Sequence, residues 1–281
     1  MFENPVEYIR TELIEKYTPG EIRVFTSLIL KEVCNLSFPD IVACKFSDLS
    51  DNEKQKIFHI LNRLKNNEPI QYILGVTEFY GLDFKLSPSV LIPRPETEEL
   101  VEWILLETKN INPHVLDIGT GSGCIPIALA KHMHGGTIEA WDVSDDALDI
   151  AKVNALLNRV SVQFKNVDVL QYQNNNKLYD VIVSNPPYIQ ESEKEQMDKN
   201  VLDFEPNIAL FVPNEDALVF YRRIADIAKE QLNNEGMLYF EINQLKGLEV
   251  AQLLKDKGFV NVELKKDISN NYRMIRGMIL R

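Results

Sequence analysis

His114-Val115-Leu116-Asp117-Ile118-Gly119-Thr120-Gly121-Ser122-Gly123 decides the fold of this chain. The first five residues form a short, mostly apolar run that reads as a buried strand. Three glycines at alternate positions follow at once, and Ile125-Pro126-Ile127-Ala128-Leu129-Ala130 then reads as a helix. Pro126 is tolerable there only because it lies in the first turn. The order is strand, glycine loop, helix. Glycines permit positive φ and close backbone approach, so a ligand can lie against the turn. The spacing is G-x-G-x-G rather than the dinucleotide G-x-G-x-x-G, and no G-x-x-x-x-G-K-[ST] occurs, which excludes a Walker-type loop.

The alternation continues outward from this stretch. Strands are predicted at 114–118, 137–142, 161–168, 179–184 and 236–242, and helices at 124–133, 145–157, 215–233 and 247–257. Segments 259–265 and 273–280 suit a terminal antiparallel hairpin. Such a pattern predicts an α/β fold with a doubly wound, mostly parallel sheet and ligands outside the carboxyl ends of its strands. Upstream the periodicity is helical. Ile57, Ile60, Leu61 and Leu64 follow a Ser50-x-x-Glu53 capping box, and Ile22, Phe25, Ile29 and Val33 form a similar stripe. The domains expected are therefore a helical bundle over 1–72, a linker with a β-hairpin around Phe79–Phe84 over 73–95, and the α/β domain over 96–281.

Composition narrows the class. The 281 residues are 45% hydrophobic and 26% charged, as in a soluble globular protein. There is no apolar run of the ~20 residues that span a bilayer, and Met1–Arg10 lacks the form of a secretory signal. Cys34, Cys44 and Cys124 share no C-x-x-C spacing, which argues against a disulfide framework or a zinc site and fits a reducing cytoplasm. His132 and His134 are not read as metal ligands. Net charge is −12, and residues 1–72 hold 9 Lys+Arg against 11 Asp+Glu. A broad basic footprint for nucleic acid is absent from the sequence. The expectation is a cytoplasmic monomer with no metal, no membrane contact and no direct nucleic-acid binding.

Three acids lie at successive strand ends. Asp142 stands nineteen residues after Gly123, placed to accept the hydroxyls of an adenosine ribose. Asp168, at the end of the third predicted strand, is placed to reach an adenine amine. Asp117 sits beside the glycines, where its charge favours a cationic cofactor. Each acid alone reads more readily as a solvated or capping residue than as a ligand contact; together with the glycine loop they point to a nucleoside site. After the fourth strand comes Asn185-Pro186-Pro187-Tyr188. Two prolines cannot donate to a sheet ladder and hold the loop extended and stiff. Asn185 and the Pro186 carbonyl can each accept one N–H from a planar –NH2 group, and Tyr188 is expected to cover that group.

This combination resembles class I S-adenosylmethionine-dependent methyltransferases, whose Rossmann-like sheet it implies. Asp-x-Gly-Thr-Gly-Ser-Gly with Asn-Pro-Pro-Tyr resembles enzymes that methylate amide or amine nitrogens. Ile92-Pro93-Arg94-Pro95-Glu96-Thr97-Glu98-Glu99-Leu100-Val101-Glu102 and Asp203-Phe204-Glu205-Pro206-Asn207-Ile208-Ala209-Leu210 look like the peptide chain release factor glutamine methyltransferase (PrmC or HemK) family. The resemblance runs from about Pro69 to the C-terminus. It implies methyl transfer from S-adenosylmethionine to the glutamine amide nitrogen of a release factor's Gly-Gly-Gln loop, with S-adenosylhomocysteine as product. It further implies that Asn185 and Pro186, within the Asn185-Pro186-Pro187-Tyr188 loop, bind the target amide. The implied cofactor residues are Gly119, Thr120, Gly121, Ser122, Gly123, Asp142 and Asn185, beside Asp117 and Asp168 from the strand-end reading. An aromatic residue can follow the third-strand acid in such enzymes; Val169 stands there in this chain.

Rival readings share parts of the pattern. A ribosomal protein glutamine methyltransferase has the same Asn-Pro-Pro-Tyr loop, and the Arg-Pro-Glu-Thr-Glu segment argues against it. A DNA adenine-N6 methyltransferase would clamp a flipped base similarly, but the acidic balance opposes it. A non-catalytic adenosine-ligand sensor leaves the intact amide clamp without a use. The helical extension reads either as packing alone or as a partner-recognition domain.

Overall fold

The computed structural model describes residues 2–43, 49–108, 112–133, 135–174 and 176–281; Cys44 and His134 lie outside them. The first unit is helical: α1 (Pro5–Leu13), α2 (Pro19–Cys34), α3 (Phe38–Val42), α4 (Asp51–Lys65) and α5 (Ile70–Leu74). Local chemistry sets its helix starts. The Ser50 hydroxyl accepts the Glu53 N–H at 3.3 Å while the Glu53 carboxylate accepts the Ser50 N–H at 2.8 Å. Thr18 and Glu21 repeat this reciprocal cap ahead of α2, with Pro19 in its first turn. Ile22 and Ile29 of one stripe and Ile57, Leu61 and Leu64 of the other bury against Ile9, Leu13, Leu30 and Ile70, while Phe25, Val33 and Ile60 pack at the margin. Residues up to Gly75, together with 198–204, form this unit, and 76–197 with 205–281 form the second.

In the second unit, β1 (Val76–Phe79) and β2 (Leu82–Lys85) make the expected hairpin. Then follow α6 (Pro95–Glu107), β3 (His114–Ile118), α7 (Cys124–His132), β4 (Thr137–Asp142), α8 (Asp145–Asn158), β5 (Gln163–Asn166) and β6 (Tyr179–Ser184). A small parallel pair, β7 (Ile189–Gln190) and β8 (Phe211–Val212), brackets a 3-10 turn at Glu191–Gln196, α9 (Lys199–Phe204) of the first unit and α10 (Asn207–Leu210). The chain ends with α11 (Val219–Gln231), β9 (Leu232–Glu241), α12 (Gly247–Asp256), β10 (Val260–Lys266) and β11 (Tyr272–Met278).

Seven strands form one sheet in the order β10-β11-β9-β6-β3-β4-β5. The pairs β6–β9, β3–β6, β3–β4 and β4–β5 are parallel, and β10 and β11 add the antiparallel hairpin. Side chains alternate between two buried faces, as a doubly wound sheet requires. Leu116, Ile118, Ile182, Leu238 and Phe240 pack under α11 and α12, whereas Val115, Val181, Val183 and Tyr239 pack under α6 and α7. No helix among the described residues is long and apolar enough to cross a membrane.

Several boundaries differ from expectation; β9, for instance, begins at Leu232 rather than 236 and β5 at Gln163 rather than 161. The third strand stops at Asn166 rather than 168, because Val167 turns its N–H to the Asp142 carbonyl and Asp168 accepts the Leu170 N–H in a local turn. The helix expected from 215 starts at Val219, after a turn in which the Asp216 N–H reaches the Pro213 carbonyl.

Three strands are also joined by one buried carboxylate. Glu139 on β4 accepts from the Trp141 indole N–H at 2.6 Å, Lys165 at 2.9 Å, the Tyr179 hydroxyl at 3.1 Å and Lys177. Burial opposes its ionisation, but the hydrogen bonds from Lys177, Lys165 and Trp141 win and hold the carboxyl below the usual range. A depressed folded pKa stabilises the fold above the unfolded value and loses that effect as pH falls through the folded one. Glu139→Gln should therefore lower unfolding free energy at neutral pH by on the order of 2 kcal/mol. Urea titrations should show the gap to the parent narrowing below about pH 4, and an undiminished gap there would contradict the assignment.

Candidate active site

The parallel register places Ile118 beside both Trp141 and Ser184, and Ser184 beside Phe240. The loops after β3, β4 and β6 therefore leave the sheet from one row. The Ser184 hydroxyl locks the row by donating to the Ile118 carbonyl at 2.6 Å. Successive crossovers run to opposite sides of β3, which makes this edge the switch point of the sheet.

Backbone hydrogen bonds shape the glycine loop. The Trp141 carbonyl accepts from the N–H of Gly119 at 2.8 Å and of Thr120 at 2.9 Å. The Asp142 carboxylate accepts the Gly121 N–H at 2.8 Å through Oδ2 and the Ser144 N–H at 2.9 Å through Oδ1. Burial raises the Asp142 pKa, and the backbone bonds from Ser144, Gly121 and Val143 oppose that rise. Each oxygen retains acceptor capacity for a further donor such as a ribose hydroxyl. Gly119 and Gly121 have φ of +76° and +53°, and a Cβ at either position would meet nothing within 4 Å. Their open sides leave room for a ligand against the backbone.

A cavity of about 300 Å³ lies over this row. Its wall holds Gly119, Thr120, Gly121, Ser122, Asp142, Asp168, Asn185, Pro186 and Pro187, so most of the residues singled out in the sequence meet in one place. Val143, Val167, Val169, Leu170, Phe220 and Ile224 supply an apolar side. Ser89, Leu91, Thr97, Ile208 and Phe220 were not foreseen. Phe220 opens a helix whose sequence reads as ordinary core, and it supplies an aromatic wall that Val169 cannot.

Three expected site residues are not on that wall. Gly123 caps α7 at φ +81°, and a Cβ there would stand 2.9 Å from Ile127 Cδ1 and 3.1 Å from Ala151 Cβ. Its smallness serves the approach of α7 to α8. Asp117 is fully buried, and neither of its carboxylate oxygens nor the Thr120 hydroxyl has a hydrogen-bond partner among the described residues. Burial pushes the Asp117 carboxyl up to about 7, the nearby Thr120 hydroxyl pulls the other way, and the Asp142 charge adds to the rise. Tyr188 does not cover the cavity. Its hydroxyl donates to Glu241 at 3.3 Å, and its ring packs at the margin of the core under α11 and α12. Asp168 reaches the wall, but its carboxylate also holds the Leu170 N–H at 2.9 Å and the Gln171 side chain at 2.7 Å.

The segment before α6 is fastened to the loop before α10. Glu205, whose side chain is 1% exposed, accepts from Arg94 at 2.5 Å and from the Ile92 N–H at 3.3 Å. Arg94 and Ile208 both line the cavity, so this ion pair, buried at its Glu205 end, ties two segments of the cavity wall together.

A Rossmann-like sheet carrying a glycine loop and an Asn-Pro-Pro-Tyr loop on one cavity defines a methyltransferase. Residues 97–203 match the family described as Methyltransferase small domain, and residues 6–75 match the PrmC N-terminal domain. The chain is 45% identical over 279 residues to a release factor glutamine methyltransferase of Flavobacterium psychrophilum, covering 96% of this chain and 98% of that protein. It is 44% identical to the protein of the same name from Bacteroides thetaiotaomicron, covering 95% and 96%. The chain belongs to the release factor glutamine methyltransferase family. In fold it is similar to the Thermus thermophilus 16S rRNA N2 G1207 methyltransferase, solved with AdoMet and guanosine: the TM-score is 0.54 at 17% identity, over 73% of this chain and 50% of that one.

The different work of the glycines is testable. Gly123→Ala combines left-handed strain with overpacking and should lower unfolding free energy by about 2–3 kcal/mol. Gly121→Ala, with open space at its Cβ, should lose only about 1 kcal/mol. Equal losses in urea titration would contradict the packing role of Gly123.

Proposed function

We propose that this chain transfers a methyl group from S-adenosylmethionine to the side-chain amide nitrogen (N5) of the glutamine in the Gly-Gly-Gln loop of peptide chain release factors. S-adenosylhomocysteine is the second product. One observation carries the reading: Asn185 and Pro186 share a cavity wall with Gly119, Thr120, Gly121 and Ser122. Family membership over nearly the whole chain supports the choice of substrate.

The residues present suit the cofactor. The open glycine backbone admits a close ligand, and the apolar side beside Asp142 and Asp168 suits a nucleoside. Among the described residues the Thr120 hydroxyl on the wall and the Asp117 carboxylate behind it have no hydrogen-bond partner, which leaves the Thr120 hydroxyl available to a ligand. Asp142 would hold the ribose and the Asp168 turn the adenine end, while Asp117, buried behind the wall, would act on the cationic end through its charge without touching it. Bound there, the cofactor supplies an electrophilic methyl group on a positively charged sulfur.

The chain's own residues supply the positioning. An amide nitrogen is a weak nucleophile because its lone pair is delocalised into the carbonyl. The Asn185 side-chain oxygen and the Pro186 carbonyl each accept one N–H of the target amide, which orients the nitrogen. The same acceptors stabilise the positive charge that grows on it. Holding the nitrogen in place is an orientation effect rather than base catalysis, and the methylated nitrogen gives up one N–H proton to solvent. The two prolines keep the acceptors from turning away.

The helical unit, which contains the stretch matching the PrmC N-terminal domain, is the recognition domain for the release factor in this reading. The test is incubation with S-adenosylmethionine and a release factor, followed by mass analysis of the Gly-Gly-Gln peptide. A methyl gain on the glutamine is expected; a gain only on ribosomal protein or DNA would overturn the substrate. Asn185→Ala should reduce turnover by about 10²–10³-fold while cofactor affinity changes only a few-fold. Unimpaired turnover would remove Asn185 from the mechanism. Removal of residues 1–75 should raise KM for the release factor with cofactor binding retained, and an unchanged KM would remove the recognition role.

A further inference from the structure

Glu241 is the last residue of β9, one position beyond Phe240, which pairs with Ser184 in the row beneath the cavity. Its side chain is buried, with the residue 2% exposed. Oε2 accepts the Thr97 hydroxyl at 2.6 Å and Oε1 accepts the Tyr188 hydroxyl at 3.3 Å. Its backbone carbonyl accepts the Tyr221 hydroxyl at 3.2 Å. Arg273, on the neighbouring β11, lowers the energy of the charge but directs its guanidinium to Asp267 at 3.2 Å. Glu241 is thus a buried carboxylate held by hydroxyls. Burial raises its pKa, and the Thr97 hydrogen bond and the Arg273 charge oppose that rise.

A carboxylate in such a place is an expensive way to end a strand, since an apolar side chain would avoid the desolvation. What it achieves is a connection. Thr97 is on α6 and lines the cavity, while Tyr188 terminates the loop whose Asn185, Pro186 and Pro187 line it as well. Between Tyr188 and Asn185 stand two residues of fixed φ, so a tether on Tyr188 is transmitted along a stiff segment. The Asn243 side-chain amide adds a second, longer tether to the Tyr188 carbonyl at 3.4 Å.

We propose that Glu241 is a positioning residue for the methyl acceptor: by holding Thr97 and Tyr188 together it sets where the Asn185 oxygen and Pro186 carbonyl stand in the cavity. The proposal rests on the amide-methylation reading above. An amide clamp must be held to within about half an ångström of its productive geometry, which a loop on its own seldom achieves. Tyr188 then acts through its hydroxyl as the anchor of the loop, in place of covering the substrate.

The test uses the full chain with S-adenosylmethionine and a release factor that the parent methylates. Tyr188→Phe, Thr97→Val and Glu241→Gln should each lower kcat about tenfold or more, with KM and cofactor affinity within about threefold of the parent. Because the Glu241–Tyr188 pair acts as a unit, the double variant Glu241→Gln/Tyr188→Phe should be within about threefold of the worse single variant. Parental kcat in the single variants, losses that multiply in the double variant, or a defect confined to KM or cofactor affinity would overturn it. Tyr188→Phe and Thr97→Val keep side-chain volume, so they decide the matter if Glu241→Gln fails to fold. A parent that methylates no release factor would sink the underlying reading, whereas parental turnover with unaffected variants would sink only the role of Glu241.

Discussion

Everything in the candidate site depends on one row of backbone across the sheet. Ile118, Trp141 and Ser184 lie side by side, so three loops from distant parts of the sequence depart together. The Trp141 carbonyl then takes the N–H groups of both Gly119 and Thr120, folding the glycine loop back over β4. The Ser184 hydroxyl, bonded to the Ile118 carbonyl, ties the departure of the Asn185 loop to the same point. A slip of one residue in either ladder would invert the side chains of a strand and separate the two loops. The buried faces forbid that slip, because Leu116 and Ile118 belong to one core and Val115 to the other. Packing, in other words, fixes the chemistry's geometry.

Two kinds of restraint act on the cavity. Backbone donors and glycine conformations make one side, with Asp142 serving as a structural acceptor. The other side is held by buried acids that join segments remote in sequence. Glu205 fastens Arg94 and Ile92, and Glu241 fastens Thr97 and Tyr188. Removing one partner of such a pair leaves a buried charge unsatisfied, so these contacts enforce a specific arrangement even where they add little net stability.

The fold was legible because its signals are local. The apolar run at 114–118, the glycines after it and the period of the later helices specify strand, loop and helix without reference to anything distant. The register followed less directly, since it depends on which strands become neighbours. The stiff turn of Asn185 and Pro186 at the end of β6 was legible because proline stiffness is a local property. Tyr188 was misread for the complementary reason: the loop sequence says nothing about where the ring points, and its partner Glu241 looks like the end of a strand. Gly123 was taken for a ligand contact because its role depends on Ala151, which approaches from another helix. Phe220, Ser89 and Ile208 reach the wall from three separate segments, and no spacing rule links them. Asp168 was read as a strand-end acid, but the strand closes two residues before it and its carboxylate serves a local turn.

A crystal structure of the chain with S-adenosylhomocysteine and a Gly-Gly-Gln peptide would test the central claim most directly. The account predicts the glutamine amide nitrogen within about 3 Å of both the Asn185 side-chain oxygen and the Pro186 carbonyl, with the homocysteine sulfur on the glycine-loop side of it. A glutamine side chain bound away from these acceptors, or a cofactor product seated elsewhere than over Gly119–Ser122, would contradict it.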